Sequence, residues 1–194
     1  MTTMQPTLAQ TLFAPRGDAL RALMLAVIGS LALWASAKIQ VPFYPVPMTM
    51  QTFVVLCIGM SFGWRRGAAT VALYLMQGAM GLPVFAGTPE KGIGLAYMVG
   101  PTGGYLLGFV IAAAVVGWLA ERGWDRSVAR TLAAMILGTA IIFASGILWL
   151  GTVIGWDQPV LQYGLTPFVW GAVFKIALAA VALPMAWKAV EHRR

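Results

Sequence analysis

The sequence predicts an all-α, polytopic membrane protein of six transmembrane helices with both termini in the cytoplasm, and three observations carry that prediction. Of its 194 residues, 60% are hydrophobic and only 10% charged, where soluble domains carry about 25% charged residues. Apolar runs near the roughly 20 residues that cross a bilayer recur along the chain. The basic residues collect in alternate connections, the pattern left when Lys and Arg are retained on the cytoplasmic side.

Residues 1–18 (MTTMQPTLAQTLFAPRGD) are too polar, and Arg21 comes too late, for a cleavable signal with a basic start and an apolar centre. A retained cytoplasmic tail is expected there. Hydropathy then places spans at about 19–38, 49–63, 67–82, 102–121, 128–150 and 166–190, which together make one transmembrane domain over 19–190. The second and third are short for a crossing. Between them, Gly63-Trp-Arg-Arg-Gly67 has the composition of a tight inner turn. Residues 191–194 (EHRR) form a basic tail.

With the N-terminus inside, Arg16, Arg21, Arg65, Arg66, Arg122, Arg126, Arg130, Lys188, Arg193 and Arg194 are cytoplasmic, ten of the thirteen basic residues, and only Lys38, Lys91 and Lys175 fall on the outer half. The net charge of +7 therefore reads as topology. Basic residues confined to short turns, with no aromatic platform among them, argue against nucleic acid as a partner. The lipid bilayer is the partner that composition demands.

The outer connections are long and rich in Gly, Pro and aromatics: QVPFYPVP at 40–47, the stretch 83–101, and GWDQPVLQYGL at 155–165. A small-molecule site is expected to open on that side. No cofactor motif is present. One histidine, His192, and one cysteine, Cys57, cannot build a His/Cys metal site. No P-loop occurs, and the acids Asp18, Glu121, Asp125 and Glu191 sit at the cytoplasmic edge without a catalytic constellation, so neither an enzyme nor a self-energised nucleotide motor is expected.

Lys175 is the leading candidate for ligand contact. It lies eight residues beyond Pro167, about 12 Å into the last span at 1.5 Å per residue. A lysine at that depth marks a cavity or a partner, with snorkelling to the interface as the bland alternative. Its ammonium suits a carboxylate. Lys38, at the end of the first span, reads as an interface anchor. Gln51, beside Thr49 and Thr52, offers an amide to a urea-like or amide-like group, or else a helix cap or interhelical hydrogen bond.

In VGPTGGYLLGF (99–109), Pro101 suits a helix start and Thr102 a cap. Gly103 and Gly104 either bare backbone N–H groups to an anionic ligand or allow close helix packing. On the first span Ala22, Ala26 and Ser30 recur every four residues. That stripe admits a neighbouring helix, from this bundle or from a partner.

Taken together, PFYPVPMTMQTFVVLCIGMSFGWRRGAATVALYLMQGAMGLPVFAG and GPTGGYLLGFVIAA resemble the BioY family of biotin transporter subunits, over about residues 20–188. The resemblance implies the substrate-capture (S) component of an energy-coupling factor transporter in a bacterial cell membrane. It would bind biotin from outside and pass it inward, driven by a transmembrane coupling (T) protein and ABC-type ATPases. It implies that Lys175 meets a polar or charged part of biotin, most simply its carboxylate. It further implies Gln51, Thr102 and Tyr105 as hydrogen-bonding groups, Tyr44, Phe85 and Tyr97 as cover for the bicycle, and Gly87, Gly103 and Gly104 in the same site. It makes Ala22, Ala26 and Ser30 a docking stripe for the coupling protein. An autonomous vitamin carrier is the alternative. One departure stands out: Ala172 occupies the position, three residues before Lys175, where the family commonly has an aspartate. Asp157 or Gln162 is a candidate to take over that carboxylate's contact.

Overall fold

The computed structural model describes residues 5–12, 18–41 and 44–192. Arg16, Arg193 and Arg194, three of the residues assigned above to the cytoplasm, lie outside that set. In chain order the elements are α1 (Leu8–Leu12), α2 (Asp18–Lys38), β1 (Gln40–Val41), β2 (Met48–Thr49), α3 (Gln51–Phe62), α4 (Trp64–Ala79), α5 (Gly94–Met98), α6 (Gly103–Ala120), α7 (Val128–Ile154), α8 (Val160–Gly164) and α9 (Val169–Glu191). Single 3₁₀ turns at Trp124–Arg126 and Thr166–Phe168 lead into α7 and α9.

The chain is a multi-pass membrane protein. Six helices, α2, α3, α4, α6, α7 and α9, occupy the six apolar stretches. Four of those stretches are long and apolar enough to cross a membrane: Asp18–Lys38, Gly103–Ala120, Val128–Ile154 and Val160–Glu191. Helix α3 has 12 residues, about 18 Å of rise, well short of the hydrocarbon thickness of about 30 Å.

The joint between α3 and α4 is tighter than the sequence suggests. It is one residue, Gly63, at φ 83°, a conformation open to glycine without penalty. Trp64, Arg65 and Arg66 already belong to the first turn of α4. The N–H of Trp64, which has no partner within its own helix, is met from α6's end by Glu121, whose Oε1 accepts it at 3.2 Å. A carboxylate at a helix N-terminus satisfies an orphan donor and complements the dipole, and this explains how so short a turn holds.

Helix α6 is the axis of the bundle, packed against α3, α4 and α7 and the most buried of the spans. Close approach depends on small residues: a Cβ on Gly59 would lie 2.6 Å from the Ala113 carbonyl oxygen. The apolar core runs from Leu33 and Val71 through Leu106 and Ala112 to Met135 and Ile142.

The connections divide between two ends. At one end the Gln5 N–H donates to Glu121 O at 2.8 Å, Arg126 stacks 4.3 Å over the Trp187 ring, and Arg66 pairs with Asp18 at 3.2 Å. The described N-terminal residues and the end of α9 thus share the basic end. At the other end the proline-rich stretch folds back as a two-stranded ribbon, Gln40 opposite Thr49 and Val41 opposite Met48. It lies beside residues 83–102.

Candidate ligand-binding site

Helix α3 begins at Gln51 under the ribbon, and α9 enters from the Thr166–Phe168 turn, so the first turns of both helices face each other beside α6 and α7. Between them is a cavity with about 570 Å³ of atom-free space, its mouth included. One wall is polar, with Thr49, Gln51, Thr52 and Lys175. The rest of the lining is largely apolar and aromatic, with Tyr97, Tyr105, Leu106, Phe109, Phe143 and Phe168.

Lys175 turns inward rather than snorkelling. Its Nζ donates to the Thr49 carbonyl oxygen at 2.6 Å and to Thr52 Oγ1 at 3.0 Å, across from α9 to the start of α3. Both partners are uncharged. None of the six acids of the chain lines the cavity. Asp157, considered above as a substitute carboxylate, instead accepts from Gln158 Nε2 at 3.1 Å in an exposed turn, and Gln162 is likewise absent from the lining. Ala172 lines the cavity itself, one turn before Lys175. Even a half-buried ammonium without an anion is costly, and here the shortfall faces an open space.

Gln51 is only 4% exposed. Its Nε2 donates to the Tyr74 hydroxyl at 2.8 Å, which in turn donates to Val84 O at 2.8 Å. One amide hydrogen of Gln51 is left over, since the group carries two. Thr102 also lines the cavity, but it does not cap α6: its own backbone is helical, at φ −87° and ψ −10°, and its side chain makes no cap bond. Tyr97 and Tyr105 present rings rather than free hydroxyls. Their O–H groups donate to Ala86 O at 2.9 Å and to Gly164 O at 2.7 Å.

The remaining expected ligand residues lie elsewhere. Phe85 is 1% exposed, stacked behind Tyr97 at 4.9 Å between ring centroids and edge-on to Tyr74 at 5.6 Å. It supports the wall one layer back. Tyr44 is 90% exposed, away from the lining. Gly87, at φ 71°, packs on the Lys91 stem. Gly103 and Gly104 serve helix packing: Cβ atoms there would lie 2.0 Å from Met98 O and 2.2 Å from Trp149 Cβ. Of the stripe on α2, Ser30 is buried and its hydroxyl bonds Gln77 Oε1 on α4, while Ala22 and Ala26 are half-buried beside it.

Phe109, Phe143 and Phe168 were not singled out from the sequence. Phe109 was findable, because Thr102, Tyr105, Leu106 and Phe109 follow the i, i+3, i+4, i+7 spacing of one helix face. Phe143 and Phe168 carry no such signal, since in an apolar chain an aromatic facing lipid looks the same.

Comparison with known proteins agrees with this architecture. A family profile described as the BioY family matches residues 4–192. A biotin transporter BioY from Thermotoga maritima is 40% identical over 162 residues, spanning 84% of this chain and 93% of its own. One from Rhizobium etli is 39% identical over 169 residues, spanning 84% of this chain and 88% of its own. The fold is similar to that of a crystal structure described as the S-component for biotin from an ECF-type ABC transporter, with a TM-score of 0.74, 20% identity, and coverage of 90% of this chain and 95% of that one.

Proposed function

The chain belongs to the BioY family, and we propose that it captures biotin from outside the cell in the cavity beside Lys175 and passes it inward as the S component of a transporter. The observation that carries this reading is the Lys175 ammonium, held only by uncharged oxygens in a cavity without a carboxylate. Biotin supplies what the cavity lacks. Its carboxylate meets Lys175, its ureido group meets the spare donor of Gln51 and the Thr102 hydroxyl, and its bicycle lies against Tyr97, Tyr105 and Phe109. Ala172 removes the intramolecular competitor for the ammonium.

The similarity to biotin transporters supports biotin as cargo, and the similarity to the S-component for biotin of an ECF-type ABC transporter supports an assembly with an ATPase. Without a P-loop, the chain draws its energy from a coupling protein and ABC-type ATPases. We place it in the bacterial cell membrane with the basic end in the cytoplasm, and assign the half-buried Ala22 and Ala26 to coupling-protein contact, with Ser30 held inside the bundle by Gln77. The test is titration of the purified, detergent-solubilised protein with biotin. Saturable binding below micromolar concentration is expected, and its absence overturns the reading.

A further inference from the structure

Lys38 does more than anchor the end of α2 at an interface. Its stem is exposed, but its Nζ lies within hydrogen-bond distance of four oxygens: Pro83 O at 3.0 Å, Phe85 O at 3.2 Å, Thr88 O at 3.3 Å and Thr88 Oγ1 at 3.3 Å. All four belong to the segment 83–88 and all are uncharged. The Thr88 hydroxyl spends its own hydrogen on Phe85 O at 2.7 Å, so toward Lys38 it can only accept. Three carbonyl dipoles and a hydroxyl converging on one point repel one another unless a cation sits there, and an ammonium with three donors fills that place.

The intervening carbonyls point the other way. Val84 O accepts from Tyr74, whose hydroxyl also accepts from Gln51. Ala86 O accepts from Tyr97, and Ala86 itself lines the cavity. The segment is therefore a strap with two faces. Pro83 and Phe85 bond the lysine on one side, and on the other Val84 bonds Tyr74, which holds the cavity-lining Gln51, while Ala86 bonds Tyr97 of the cavity wall. Phe85, wedged between Tyr74 and Tyr97, ties the faces together.

From this alternation we propose that Lys38 is a positioning residue for ligand capture: its ammonium holds the 83–88 strap so that Tyr97 and the Tyr74–Gln51 pair present the cavity wall in its binding geometry. The proposal rests on the reading of the cavity as the biotin site. It assigns Lys38 no contact with ligand.

The test uses the full-length protein in detergent. Lys38→Ala is expected to weaken biotin binding about tenfold or more, the range for loss of hydrogen bonds to a charged group. Millimolar n-propylammonium, which replaces the missing Cγ to Nζ atoms, is expected to restore most of the affinity. Tetramethylammonium, charged but without an N–H, is expected to restore none. A merely structural defect would not distinguish the two ions. Lys38→Met keeps the stem without its donors and is expected to repeat the loss at an unchanged elution volume. It carries the comparison should Lys38→Ala not be recovered as monodisperse protein. Unchanged affinity in these variants, or equal recovery with tetramethylammonium, overturns the proposal. A wild-type protein that does not bind biotin counts against the proposed function and leaves the strap to be judged by hydrogen exchange. In that case faster exchange of the Thr88 and Lys91 amides in Lys38→Met supports it, and wild-type rates overturn it.

Discussion

A lysine half-buried in an apolar span keeps its charge only where something compensates it, and Lys175 has two neutral oxygens for that purpose. Thr49 O and Thr52 Oγ1 orient the ammonium, while the third donor remains for an incoming anion. Lys175→Met is therefore expected to weaken biotin by about ten- to a hundredfold, the equivalent of 1.5–3 kcal/mol for a hydrogen-bonded charge, and to leave biotinamide almost unaffected. Titration of both ligands against both proteins checks this, and equal losses would remove the carboxylate role. Lys175 was legible in the sequence because a charge deep in an apolar run has few structural excuses. Phe85 was misleading for the opposite reason: its motif marks the right loop, yet sequence does not say which layer of that loop a ring occupies. Asp125, outside the spans, makes a second prediction. It is 1% exposed, accepts from Trp187 Nε1 at 2.5 Å, and has an unpaired Oδ1. Burial pushes its carboxyl above the ordinary 3.8, with the Trp187 bond pulling the other way. Between 3.8 and that raised value the folded protein holds a proton the unfolded chain has released, so this site's contribution to stability falls as pH rises through the window. Relative to Asp125→Asn, the wild-type Tm in detergent is expected to drop as pH is raised from 4 toward 7. A difference between the two proteins that stays constant with pH contradicts it.

At the scale of helices, the six apolar stretches were readable because hydropathy and basic turns both follow from the bilayer. What escaped was how closely the helices approach, a property of pairs of elements. Gly103 and Gly104 admit two readings in the sequence, bare N–H groups for a ligand or small residues for packing, and spacing alone does not choose. The α6–α7 contact favours packing, with Ser145 O 2.5 Å and Trp149 Cβ 2.2 Å from a Cβ at residue 104, and Trp149 Nε1 donating to Gly100 O at 2.9 Å across the same seam. Gly104→Ala is thus expected to cost about 1–3 kcal/mol by overpacking and to lower Tm in the absence of ligand. A variant with unchanged Tm and weakened biotin binding would return the glycine to the ligand site. The one-residue joint at Gly63 was similarly hidden, since its stability depends on Glu121, which is 58 residues away in the sequence and capping α4 from outside.

For the molecule as a whole, the cavity opens beside the ribbon and the 83–102 segment, whereas the described N-terminal residues, the Glu121–Arg126 turn and Trp187 close the basic end. On the proposed reading, a ligand taken up at the cavity end leaves at the basic end, and among the described residues no acid lines the cavity to couple that passage to an ion. The sequence carries no P-loop, which is why the proposal assigns the energy source to partner subunits. On that reading the chain by itself would do no more than equilibrate biotin across the membrane. Concentrating it a hundredfold requires about 2.7 kcal/mol per molecule, an amount that ATP hydrolysis by the proposed partner subunits would cover. In cells that express this chain alone, labelled biotin is expected to level off near the external concentration, and to rise well above it when the coupling protein and ATPases are supplied. Replacing Ala22 and Ala26 by bulkier residues is expected to abolish the rise while leaving biotin binding by the isolated chain intact, because their stripe lies on α2, away from the cavity lining. Accumulation that persists undiminished without the partners would favour an autonomous carrier instead.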